Sequence, residues 1–118
     1  MIIDDLLGPL DTLLKRGEIA YNNYIHNKKT FLYAMIIKEN NMRIRELILK
    51  KSHLLPPNQQ SLCIELVTHI DIWNVLWDDL RKRKHYNLQD VFVFENSASI
   101  PRKSAESLLA YYQELKNA

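Results

Sequence analysis

The sequence predicts an all-α fold, an antiparallel bundle of four to five helices with one extended connecting segment over about residues 85–100. Three observations carry that prediction. Glycine occurs only at Gly8 and Gly17, so most of the chain lacks the residue that supplies positive-φ turns to hairpins and phosphate-cradling loops. Apolar residues recur at three- and four-residue spacing, the period of a helix with one buried face. The one β-like run is Val91, Phe92, Val93 and Phe94, and a single strand cannot form a sheet. The scarcity of glycine also removes P-loops and dinucleotide fingerprints from consideration.

At 118 residues the chain is one domain by size. A single cysteine, Cys63, stands between Leu62 and Ile64, which excludes an internal disulfide and predicts a buried thiol in a reducing, cytoplasmic setting. The first residues are acidic where a secretory signal would be basic. The longest apolar run, residues 31–37, has seven residues against the ~20 that a membrane span needs, so a soluble protein is expected.

The first predicted helix covers about residues 5–16, with Ile3, Leu6, Leu7, Leu10, Leu13 and Leu14 on one face. Asp4 or Asp5 can cap it, Pro9 falls in its first turn, and Lys15, Arg16 and Gly17 form a stop signal. From Glu18, the residues Tyr21, Tyr24, Ile25, Phe31, Leu32, Met35 and Ile36 share a second face. Its continuation is charged, with Glu39, Arg43, Glu46 and Lys50, while Ile37, Ile44, Leu47 and Ile48 start a stripe turned by roughly 100° or more. A straight helix cannot bury both stripes against one surface, which predicts a break or kink at Asn40 and Asn41. Pro56 and Pro57 then end the second piece.

The strongest helical pattern covers residues 58–84. Leu62, Leu66, His69, Trp73, Leu76 and Leu80 form one seam, and Cys63, Val67, Ile70 and Trp77 the next. Ile64 and Val75 lie on the opposite side with Ile72 beside them, so that face needs cover from another helix or another molecule. The interval 85–100 reads either as an extended segment whose rings fill a gap in the bundle or as a partner-binding edge. A last helix over residues 101–116 buries Ala105, Leu108, Leu109, Tyr112 and Leu115, with Ser99 as its cap.

No catalytic residue, metal site or cofactor is expected. His26, His53, His69 and His85 are widely spaced and have no second cysteine beside them. Glu65 and His69 share a helix face, but no equivalent pair occurs elsewhere to complete a di-metal bundle. No nucleophile sits on a recognisable elbow. Trp73 and Trp77 fall in the middle of the widest apolar face and read as core.

Charge is sorted into blocks. Lys15 and Arg16, Lys50 and Lys51, and Arg81, Lys82, Arg83 and Lys84 each close a predicted helix, where cations complement the macrodipole. Arg102 and Lys103 stand in a first turn, where that explanation fails. If the helices alternate in direction, Lys15, Arg16, Arg81, Lys82, Arg83, Lys84, Arg102 and Lys103 gather on one rim able to bind an anion. The leading functional expectation is a small non-catalytic interaction protein that binds a protein partner or itself, with Ile64, Ile72, Val75, Phe92 and Phe94 as its candidate interface. The alternative is nucleic-acid or polyanion binding at the basic rim.

Overall fold

Leu6, Leu7 and Leu10 are fully buried, as their spacing requires, but the helix they begin does not stop at Gly17. The computed structural model describes residues 1–93 and 102–118. A π-helical turn, Ile3–Leu7, leads directly into α1, Gly8–His26. Helix α2 spans Phe31–Lys51, a 3-10 turn covers Ser52–Leu54, α3 spans Pro57–Arg83 and α4 spans Arg102–Lys116. Among the described residues these four α-helices form the bundle and no strand occurs; an isolated antiparallel bridge joins Thr30 to Val91. The fold class is all-α, as predicted.

Two boundaries differ from the sequence reading. Gly17 is helical, without a positive φ, and its missing side chain serves a close approach: a Cβ there would stand 3.0 Å from Asn40 Nδ2. Of the break or kink expected at Asn40 and Asn41, the break does not occur, because α2 passes through both and buries both. The Asn40 amide is satisfied across the helix pair, donating from Nδ2 to the Leu13 carbonyl at 2.9 Å and accepting at Oδ1 from Arg16 at 3.0 Å. The apolar stripe rotates because the two halves of α2 enter different cores. Phe31 and Ala34 face an aromatic cluster with Tyr24, Trp77 and Phe92. Ile44 and Ile48 face an aliphatic cluster with Leu6, Leu10, Leu66, Ile70 and Leu108.

The chain reverses instead at residues 27–30, between the expected stop at Gly17 and the expected break at Asn40. There Lys28 and Lys29 adopt φ of 63° and 51°, and the Lys29 N–H donates to the Tyr24 carbonyl at 3.0 Å. That six-to-one bond is the Schellman closure of α1, with lysine where glycine is the usual occupant. The sequence reading missed it because no glycine marks it.

Helix α2 is then capped by a distant segment. Phe31 N–H donates to the Asp90 carbonyl at 2.8 Å and Leu32 N–H to the Leu88 carbonyl at 2.9 Å, which satisfies donors that a helix N-terminus leaves open. Residues 84–93 thus lie over the aromatic end of the bundle, as the gap-filling reading expected. Helix α4 covers the aliphatic end instead, with Leu108 and Ser104 buried and Ala105, Tyr112 and Leu115 packed beside them. The Ser99 cap falls outside the described residues. The molecule is long and narrow, 48 × 24 × 21 Å, with one core toward each end.

Candidate functional site

The outer face of α3 is built by what surrounds the helix. Its inner face carries Cys63, Leu66, Val67, Ile70 and Trp77 into the two cores. Helix α2 holds one flank, where Arg45 Nε meets Asp71 Oδ1 at 2.5 Å and Asn74 donates to the Met42 sulfur at 3.0 Å. Helix α4 holds the other flank, where the Ser104 hydroxyl donates to the Glu65 carboxylate. Between those flanks Ile64, Ile72 and Val75 stand 62%, 45% and 68% exposed, and Leu76 continues the strip. The strip runs roughly 18 Å along the helix at 1.5 Å per residue. Its only polar member at the centre, Thr68, donates its hydroxyl back to the Ile64 carbonyl, so the strip presents an apolar surface with little competing polarity.

Phe92, expected at the same interface, is instead fully buried. Its ring meets Phe31 at 5.1 Å, Tyr86 at 4.7 Å and Trp77 at 4.6 Å, and the Tyr24 hydroxyl donates to its carbonyl. The Val-Phe alternation places Val91 and Val93 outward and Phe92 inward, as a period of two requires. Phe94 lies outside the described residues.

The basic rim does not assemble as the alternating-direction argument expected. Lys15 sits in the interior of α1, its ammonium 2.9 Å from the Asp11 carboxylate, which raises the lysine pKa. Arg16 reaches Asn40 and lies 3.6 Å from Glu39. Arg102 and Lys103 begin α4 next to Ser104, whose partner Glu65 lies sixteen residues before Arg81. Along α3 that separation is roughly 24 Å. The reason is that α1 runs on to His26 and α4 starts beside the first half of α3.

Arg81, Lys82, Arg83 and Lys84 do stand together at the aromatic end. The Arg81 guanidinium lies 4.5 Å from the Phe31 ring centroid, and the Lys84 ammonium 5.1 Å from that of Tyr86. Arg83 pairs with Asp79 at 2.8 Å, and Lys82 is exposed. Sequence reasoning missed that Lys28 and Lys29 join this group; the polar interruption Asn27, Lys28, Lys29 was the available signal.

Trp77 is buried and Trp73 half-buried, stacked on each other at 5.0 Å. Among the described residues no group of three or more His, Cys, Asp or Glu side chains is placed to hold a metal ion. Burial pushes the Cys63 thiol up to about 11, far from the range of an activated nucleophile. Among the described residues no helix is long and apolar enough to cross a membrane. Set against known proteins, the chain matches no family model, no curated protein and no solved structure.

Proposed function

We propose that this protein is a small non-catalytic interaction module that binds a protein partner, or a second copy of itself, through the outer face of α3. One observation carries the reading: Ile64, Ile72 and Val75 remain exposed on the helix that otherwise organises the whole core. Burying a fully exposed aliphatic side chain contributes about 1.5–3 kcal/mol, so these three, already partly covered, together supply roughly 3–5 kcal/mol. Association costs at least ~4 kcal/mol in lost freedom. A stable complex therefore also engages the flanks, where Asp71 and Arg45 border the strip on one side and Glu65 on the other.

The test is equilibrium sedimentation of the wild type and of an Ile64→Glu, Val75→Glu double variant over a range of concentrations. Self-association shows as a wild-type mass above 14.0 kDa that falls to the monomer value in the variant. If the wild type is monomeric, affinity capture from the source cell should retain a protein that the double variant loses. A monomer whose captured proteins are the same for both chains overturns the reading.

A further inference from the structure

At the opposite end of the molecule from α4, the turn after α1 and the last turn of α3 meet. Phe31, which follows the turn, carries the Arg81 guanidinium on its ring, and Phe92 N–H donates to the Lys29 carbonyl at 2.8 Å while its ring touches Tyr86. Lys28, Lys29, Arg81, Lys82, Arg83 and Lys84 therefore share one pole. All but Arg81 are exposed. We infer that this pole is a second, separate binding surface, which holds the phosphate backbone of a nucleic-acid duplex without reading its bases.

The helix-end explanation accounts for part of this charge and no more. Helices α1 and α3 both present their C-termini here, and each is equivalent to about half a negative charge. The local carboxylates are Asp78, Asp79 and Asp90, of which Asp79 is paired with Arg83 and Asp90 accepts the Asn87 N–H. Among the described residues, six bases then stand over three acids, two helix C-termini and the opposing N-terminus of α2, a surplus of roughly two to three positive charges. Lys28 and Lys29 sharpen the point. Both sit in left-handed backbone, where glycine or asparagine fits with less strain, and strained positions of this kind cluster at working sites. Lysine there is unfavourable for the fold and favourable for an anion.

The aromatic rings decide which nucleic acid. Phe31, Trp77 and Phe92 are buried, and Tyr86 is half-buried, stacked on Phe31 at 5.6 Å. Stacking platforms are what single-strand binders use, and these rings serve the interior. Binding is left to cations and phosphates, which gives affinity without sequence.

Fluorescence anisotropy with a labelled mixed-sequence duplex of about 20 base pairs, at about 50 and 200 mM salt, tests the inference. Engaging three to four phosphates weakens binding roughly 40- to 150-fold across that range. The decisive variant is Lys28→Gly with Lys29→Gly, expected to raise the melting temperature while weakening duplex binding about tenfold or more and flattening the salt slope by about one for each phosphate no longer neutralised. Lys82→Ala with Lys84→Ala should weaken binding in the same manner, and Lys15→Ala with Arg102→Ala, away from the pole, should leave it unchanged. The inference fails if the wild type does not bind at low salt, or if the double glycine variant binds as well as the wild type. It also fails if a single strand or phosphatidylserine vesicles bind more tightly than the duplex.

Discussion

Asn40 is fully buried inside α2 and joins it to α1 through both ends of one amide. Asn40→Ala removes two hydrogen bonds that join α2 to α1, one of them to the charged and partly exposed Arg16, and should lower stability by about 1–3 kcal/mol in urea unfolding. The same amide makes Gly17 conditional. In the wild type a Cβ at Gly17 would press on Asn40 Nδ2 at 3.0 Å, so Gly17→Ala should be neutral or unfavourable. In the Asn40→Ala background that clash is gone, and Gly17→Ala should stabilise by up to ~1 kcal/mol through helix propensity. The double-mutant cycle will therefore not close additively. Cys63 supplies a pH dependence. Its folded pKa, about 11, lies above that of an exposed thiol, so the unfolded chain loses the proton first as pH rises. Stability from this group is present below about pH 8.5 and is lost progressively toward pH 11, on the order of 3 kcal/mol. The difference between wild type and Cys63→Ala across that range isolates it from the lysines.

The turn between α1 and α2 and the segment that caps α2 are held by different physics. Lys28 at φ 63° carries a left-handed strain of roughly 1–2 kcal/mol, while glycine adds ~0.5–1 kcal/mol of backbone freedom to lose on folding. The difference predicts that Lys28→Gly stabilises by about 0.5–1 kcal/mol, measured by thermal unfolding. Residues 84–93 are fastened mainly by the Phe92 ring, the two backbone bonds to the start of α2 and the Phe92 N–H bond to the Lys29 carbonyl. Phe92→Ala should cost about 3–5 kcal/mol and shift tryptophan emission to the red, because Trp77 loses a ring at 4.6 Å.

Two cores stacked along a 48 Å axis set the behaviour of the whole chain. Leu108 belongs to the aliphatic core and Phe92 to the aromatic one, so Leu108→Ala, costing about 2–5 kcal/mol, should leave native tryptophan emission in place. The two substitutions should add within about 0.5 kcal/mol, and coupling larger than that would show that the cores repack as one. The proposed activities divide on the same plan, since the outer strip of α3 and the basic pole are different surfaces.

Local spacing and turn chemistry determined the helical class, the limits of α3 to within a residue, the inward face of α4 and the outward placement of Ile64, Ile72 and Val75. These are legible in the sequence because periodicity and proline act over a few residues, whatever lies beyond them. Tertiary structure alone decided where α1 ends, that α2 passes through Asn40, that Phe92 turns inward, and which bases stand together. Each depends on a partner far along the chain: Gly17 lies inside a helix where Asn40 packs against its bare backbone, and α2 begins at Phe31 with the Leu88 and Asp90 carbonyls accepting its first donors. The rim failed for the same reason, since the position of a charge in space follows from helix direction and length, which packing fixes and spacing does not.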